Sequence, residues 1–519
     1  MIKHELGKWN LDELAKNPNR KTIDRTLAKI ESDAKRFEKI KKSLNPKISS
    51  GKFLKLIRDI EYITEKSSMI GGYASLRYSE NTQSDEATAL LTRIRKFGSD
   101  IENRMLFFDL WWKREVDEKN ARRLMKSAGQ FSEYLRFKRL LAKYSLSEPE
   151  EKIINTLDVT GASALVKLYD KITNAYVYVV TVDGKKKAMS REQLTTLVRN
   201  KKAKTREAAY KSLFSKFSEN SGVTGEIYQN IVLNWRDEGI GMRGFSSPIT
   251  IRNISNDIDD ETTNTLLDVC KKNSKIFQKY FLQKAKLLGM KKLRRYDLYA
   301  PNKSKIKEKN FSYDKSVKLV LESLEKFSPV LSDYANNVFK KKHVDSIIRP
   351  GKTSGAFCST PSPKITPYVL VNFTGKSRDV FTLAHEIGHA IGLSHPFDGS
   401  SFTGNTLSAD EDIMRNSIMS YTNLDRNSYV NISQGANNWD YRDYSGTGFG
   451  AGSYSYGEKR VYASTPMLYD IATAQYMYGE ETTNDGNNSY GYDDKPLLIH
   501  TIVDSGGMDT IDASGVSRS

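Results

Sequence analysis

Cysteine is nearly absent from this sequence: Cys270 and Cys358 are the only two in 519 residues. Two thiols without C-x-x-C spacing exclude a disulfide framework, and both are expected as small buried hydrophobes. No run of eighteen apolar residues occurs, so a membrane-spanning helix is not expected. The opening segment MIKHELGKWN lacks the apolar stretch of a signal peptide, which leads to the expectation of a cytoplasmic chain. Lysine disappears between Lys376 and Lys459 although it crowds the preceding part. From Pro396 to Ser519 seven Lys and Arg face seventeen Asp and Glu, whereas the whole chain carries 81 against 63. The first 395 residues therefore hold a net charge of +28 and the remainder −10. Such a break marks segments made under different compositional pressures.

The basic body has clusters such as Lys185-Lys186-Lys187 and Lys340-Lys341-Lys342. They lack interleaved aromatic platforms, so they are expected as solvated surface and no nucleic-acid partner is expected. The length calls for more than one core. Thr22 to Lys42 places Ile23, Leu27, Ile30, Ala34, Phe37 and Ile40 at three- and four-residue spacing, one buried stripe of a helix. Ala87 to Val116 repeats the pattern and ends in Phe107, Phe108, Trp111 and Trp112, expected as core. Tyr176 to Val182 alternates and runs into Asp183-Gly184, a hairpin signal. Helices are expected again through Ser190 to Phe217 and Thr262 to Leu288. The fold class is mainly α: a helical body with small β insertions, followed by an irregular Gly/Asn/Tyr-rich C-terminal segment.

Half of the six histidines lie in one stretch, HEIGHAIGLSH, from His385 to His395. On a helix His385 and His389 fall within about 40° of each other, so both can grip one ion, with Glu386 beside them. Continuing that helix would carry His395 about 9 Å further along the axis and round from the shared face. Gly392 stands where a left-handed residue can end the helix and turn the chain back. Three neutral imidazoles, from His385, His389 and His395, then meet one tetrahedral Zn2+. Water takes the fourth position and Glu386 is placed to accept its proton. Downstream, Ser417-Ile418-Met419-Ser420-Tyr421 reads as a methionine turn, with Met419 as the structural residue beneath the metal.

Just before the helix, Gly355-Ala356-Phe357-Cys358-Ser359 and Tyr368-Val369-Leu370-Val371-Asn372-Phe373 read as two short strands. A strand edge there can bind a peptide substrate through backbone hydrogen bonds. Gly355, Ala356 and Phe357 are the candidate substrate-binding residues, the first two being small enough for close approach.

Four segments carry a family resemblance: YDLYAP at Tyr296 to Pro301, GAFCS at Gly355 to Ser359, PYVLVNFTG at Pro367 to Gly375, and DVFTLAHEIGHA at Asp379 to Ala390. On these, residues 1 to 390 resemble the oligoendopeptidase F branch of the thimet-oligopeptidase family of zinc peptidases. The resemblance implies a mostly helical clamshell that cleaves short peptides. It also implies a third zinc ligand, a glutamate on a following helix, which has no recognisable counterpart here; Glu411 is the nearest acid. From His385 onward the chain instead resembles serralysin-type metzincins. HEIGHAIGLSHP implies three histidine ligands, and SIMSY implies the methionine turn with Tyr421 as a further ligand or oxyanion donor. TPMLYDIATAQYMYG, within Ser464 to Gly479, implies the helix after that turn. Gly506 to Asp512 is similar to the entry to glycine-rich Ca2+-binding repeats, and one partial repeat is not expected to hold calcium well.

Two families thus share one HEIGHA motif and exchange partners across it, which suggests a recombined or artificial chain, a chimera joined near His385 to Ala390. The expected division is 1–115, an N-terminal helical domain; 116–390, an oligoendopeptidase-like catalytic domain; 391–503, a serralysin-like subdomain; and 504–519, a truncated repeat. The expected activity is zinc-dependent hydrolysis of peptide bonds. The alternative is a scaffold that binds zinc or peptides and cleaves nothing, because a helix built to continue and one built to stop make conflicting demands. The serralysin-like tail implies export through a C-terminal signal as the alternative to a cytoplasmic location.

Overall fold

The computed structural model describes residues 3–16, 18–301 and 310–393, with Met419, 428–433, 455–460, Met467, Asp470, 487–493 and 508–515 beyond them. It divides into two compact units. The first comprises Met1–Leu282, Lys292–Ala300 and Asn337–Gly375, and the second Gln283–Lys291, Pro301–Asn336 and Lys376–Ser519. Helices dominate, as the hydrophobic periodicity predicts. Among the described residues no helix is long and apolar enough to cross a membrane.

In the first unit, the helix Arg20–Glu38 begins at a reciprocal cap: Thr22 N donates to Asn19 Oδ1 at 2.9 Å and Asn19 N to Thr22 Oγ1 at 3.0 Å. This satisfies two backbone donors that the first turn would leave unpaired. Its stripe of Ile23, Leu27, Ile30, Ala34 and Phe37 is buried. The helices Ser50–Glu80 and Asp85–Leu110 follow, capped by Ser49 and Ser84. The predicted aromatics sit in the core, with Phe53 and Trp112 centroids 5.3 Å apart and Phe37 and Phe107 5.5 Å apart. Trp112 is buried and its Nε1 donates to Leu135 O at 2.9 Å, which removes the cost of an unpaired indole N–H.

The hairpin forms where the sequence signals it. Tyr178–Val182 (β1) pairs antiparallel with Lys185–Met189 (β2), and Asp183 and Gly184 take φ of 50° and 77°, as a two-residue primed turn requires. The helices expected through Ser190 to Phe217 are two, Arg191–Thr196 and Ala203–Glu219. The break exposes carbonyls that a buried guanidinium takes up: Arg206 Nη1 donates to Asn200 O at 2.6 Å and Lys201 O at 3.0 Å. The same guanidinium donates from Nη2 to Asp297 Oδ1 at 2.5 Å, and Arg294 Nε reaches Asp297 Oδ2 at 2.7 Å.

Thr262 to Leu288 is likewise two helices, Asp260–Lys272 and Ser274–Leu287. Both expose apolar side chains, with Leu267 at 61%, Phe277 at 58% and Leu282 at 63%. Cys270 is exposed there too, which corrects the expectation of burial. Its helix has no buried residue, so among the described residues no neighbour covers the stripe that forms it.

A three-stranded sheet completes the first unit: Val344–Asp345 (β3), Phe357–Ser359 (β4) and Tyr368–Leu370 (β5), in the order β3-β5-β4. The fully buried β5 lies parallel to β3 and antiparallel to β4, with Phe357 opposite Leu370 and Ser359 opposite Tyr368. Among the described residues β4 is therefore an edge strand. Beneath the sheet, Lys352 Nζ donates to the carbonyls of Asp345, Ile347 and Val371 at 3.0, 3.1 and 2.8 Å and pairs with Asp345 Oδ1 at 2.9 Å. Burial, opposed by Asp345, lowers its pKa to about 8.

In the second unit the helix Ser377–Ala390 packs with the helix Tyr313–Glu325. Asp379 accepts from Lys376 N at 3.0 Å and fixes its start. Further on, Ser428–Ser433 pairs antiparallel with Ser455–Arg460, and Ser489–Asp493 pairs parallel with Thr510–Gly515. Of the helix expected over Ser464 to Gly479, Met467 and Asp470 fall among the described residues; both are buried, and Met467 N donates to Asp470 Oδ2 at 2.8 Å.

Candidate metal centre

The helix Ser377–Ala390 carries His385, Glu386 and His389 on its last two turns. The two imidazoles are half-buried, with centroids 4.8 Å apart and planes at 85°. Glu386 is 6% exposed, and burial pushes its carboxyl up to about 7. A carboxyl near that value can exchange protons at neutral pH, which an ordinary surface glutamate does poorly.

The helix ends in a hydrogen-bonded turn. Leu393 N donates to Gly388 O and Gly392 N to His389 O, both at 3.0 Å, and Gly392 has φ of 98°. These bonds, from the second residue past the end and the first, make a Schellman motif, whose left-handed position glycine fills without a Cβ penalty. The turn also brings Leu393 O to 2.8 Å from His389 Nδ1. A carbonyl only accepts, so Nδ1 carries the proton and Nε2 is the lone-pair nitrogen. That is the tautomer a metal ligand needs, fixed by the partner of its other nitrogen. The donor chemistry of this pair thus fits zinc.

Met419 is buried against the middle of the histidine helix. A β-carbon placed on Gly388 would stand 2.6 Å from Met419 Sδ, so glycine between the two histidines is what admits the sulfur. Among the described residues no third His, Cys, Asp or Glu joins His385 and His389. His395, Glu411 and Tyr421 lie outside the described residues. Asp509 Oδ1, in the repeat-like end, accepts from Asn488 N at 3.0 Å.

The candidate substrate residues belong to the first unit. Gly355 is exposed with φ of 81°, Ala356 is half-buried, and Phe357 begins β4 with its ring 6.3 Å from that of Trp9. Phe357 thus packs toward the core, and its backbone lies in the edge strand. Sequence reasoning missed two groups. Leu393 O, which sets the His389 tautomer, is a backbone atom without a side-chain signature. Glu192 Oε1, which accepts from Gly355 N at 3.1 Å, is 163 positions away in the chain.

A helical body, a small mixed sheet and a helix bearing H-E-x-x-H define the fold of the oligoendopeptidase-type helical peptidases. The structure of PZ peptidase A with an inhibitor shares it, with a TM-score of 0.58 at 17% identity, covering 74% of this chain and 64% of that one. The sequence matches two families: Peptidase family M3 over residues 196–393, and the reprolysin-like metallopeptidase family M12B over residues 358–438. The oligoendopeptidase F homolog of Borreliella burgdorferi is 25% identical over 401 residues, 75% of this chain and 64% of the relative. Serralysin C of Dickeya chrysanthemi is 34% identical over 154 residues, 26% of this chain and 27% of the relative. The chain thus spans less than two thirds of either curated relative, and both resemblances are present in it. The two family matches overlap across residues 358–393, which contain the last two residues of β4, all of β5 and the histidine helix.

Proposed function

We propose that the chain is a zinc-dependent endopeptidase acting on peptides. The observation that carries this reading is His389, whose Nδ1 is committed to Leu393 O at 2.8 Å while its ring stands 4.8 Å from that of His385. His385, His389 and His395 would hold the ion. Bound zinc would supply Lewis acidity and a water of lowered pKa. Glu386, its carboxyl raised by burial, takes the proton of the attacking water and returns it to the departing amine. Tyr421 donates a hydrogen bond to the oxyanion. The edge strand β4, with Gly355, Ala356 and Phe357, binds substrate backbone. Residues 1–115, 116–390, 391–503 and 504–519 are the proposed domains. Calcium at the truncated repeat rests on the serralysin resemblance alone, and Asp509 and Asp512 are read as solvated.

The test is zinc content together with hydrolysis of an internally quenched octapeptide, in wild type, Glu386→Gln, His395→Ala and Glu411→Ala. One zinc per chain is expected in wild type, Glu386→Gln and Glu411→Ala, with loss in His395→Ala and turnover reduced about 10²–10⁴-fold in Glu386→Gln. Greater zinc loss in Glu411→Ala than in His395→Ala would overturn the ligand set.

A second reading, a zinc-binding scaffold without turnover, is favoured by the overlap of two family matches on residues 358–393. In a chimera the histidine helix would meet neighbours selected for another protein. Zinc bound without Glu386-dependent hydrolysis would establish it.

A further inference from the structure

We propose that Glu192 is a positioning residue that presets β4 to receive a peptide, an inference that rests on the peptidase reading for its substrate class. Glu192 Oε1 accepts from Gly355 N at 3.1 Å, two residues before β4 begins. Gly355 O accepts from Asn372 Nδ2 at 2.9 Å, and the same amide nitrogen reaches Thr353 O at 3.1 Å. Both backbone groups of Gly355 are therefore bound by side chains from other parts of the first unit. The residue they hold has φ of 81°, a conformation that costs a side chain dearly and that glycine adopts without penalty. Among the described residues nothing lies within 4 Å of where its β-carbon would be, so none of them keeps the loop in place by steric contact. Hydrogen bonds do.

Each clamp stands on hydrogen-bonded backbone. Glu192 is the second residue of the short helix Arg191–Thr196, whose start is fixed by Ser190 N donating to Gln193 Oε1 at 3.0 Å and Gln193 N to Ser190 Oγ at 3.4 Å. Asn372 follows directly on Val371, whose carbonyl accepts from the buried Lys352 Nζ at 2.8 Å. An edge strand binds a peptide with least entropic loss when its own backbone is already extended and in register. Fixing Gly355 delivers that register to Phe357–Ser359. Without Glu192 the glycine reverts to its wide conformational range, and peptide binding must order it first.

Hydrogen exchange at Gly355 to Ser359 and steady-state kinetics with an internally quenched octapeptide test this together. Exchange is run with and without the peptide in a Glu386→Gln background, where the peptide should survive. Glu192→Ala should speed exchange of the Gly355 amide at least tenfold and raise KM about tenfold, with kcat within twofold. Glu192→Gln keeps an oxygen acceptor and should restore both. The proposal is overturned if Glu192→Ala leaves KM and peptide protection of β4 unchanged, if Glu192→Gln behaves like the alanine variant, or if the peptide never protects β4. Protection of β4 without wild-type turnover would sink the peptidase reading and leave the role of Glu192 standing.

Discussion

Met419 and Gly388 meet so closely that a single added methyl group would overlap the sulfur: the β-carbon position on Gly388 lies 2.6 Å from Met419 Sδ and 3.6 Å from Leu393 Cδ1. Gly388→Ala should therefore trade a helix-propensity gain of about 1 kcal/mol for an overpacking cost of about 1–3 kcal/mol. The methionine is flexible, so the net loss of stability should be small. Displacement of Met419 or of the Leu393 turn should instead appear as weaker zinc binding, measured by competition with a chelator. A rise in melting temperature with unchanged zinc affinity would show the contact to be inconsequential.

Gly72 makes the contrasting case. Its β-carbon position lies 2.6 Å from Pro361 Cγ and 2.7 Å from Pro361 Cβ, and a proline ring cannot swing aside. The same loop is tied to the helix Ser50–Glu80 by Ser362 Oγ and Lys364 Nζ, which reach Glu65 at 3.1 and 2.5 Å. Gly72→Ala should cost about 1–3 kcal/mol through backbone displacement. Urea denaturation would show it as a lower midpoint with an unchanged slope.

Asp297 should make the first unit sensitive to acid. Burial alone would raise its carboxyl, but Arg294 and Arg206 outweigh it and hold the pKa below the ordinary 3.8. The unfolded chain thus takes up this proton first as pH falls. The stabilisation is complete above about 3.8 and lost as pH drops through the folded value. Asp297→Asn should lack that component and cost about 3–5 kcal/mol at neutral pH, because Arg206 is left buried without a counter-charge. Equal acid dependence in the two proteins would contradict this.

Glu386→Gln keeps shape and removes the proposed base. Proton transfer by a positioned side chain contributes typically 10²–10⁴-fold, so kcat for the quenched octapeptide should fall by about that factor with bound zinc unchanged. Residual turnover within tenfold of wild type would assign the proton to another group.

Much of this architecture could be read from residue order because its causes are local. The Ile23 to Phe37 stripe, the Asp183-Gly184 turn and the strands around Cys358 and Val369 each follow from neighbours a few positions apart. Periodicity could not say what a stripe would meet. Leu267, Phe277 and Cys270 belong to helices whose pattern is sound yet whose apolar side chains face solvent. The positions of the breaks, at Asn200 to Lys202 and at Asn273, carried no signal because a short interruption leaves the apolar spacing almost intact. Glu192 with Gly355 and Arg206 with Asp297 were illegible for a different reason: charge and carbonyl meet only once distant segments fold together. At the histidines the proposed ligand pair and its proposed base are written in one pentapeptide, whereas the carbonyl that selects the proton's place carries no letter of its own.

That carbonyl has a wider meaning. Because Leu393 O both belongs to the reversal that stops the helix and receives hydrogen from an imidazole, the path of the main chain and the electronic character of the opposite ring nitrogen cannot vary independently. Any substitution that retunes the bend, even one remote from every histidine, would be felt as altered basicity at the proposed ligand atom.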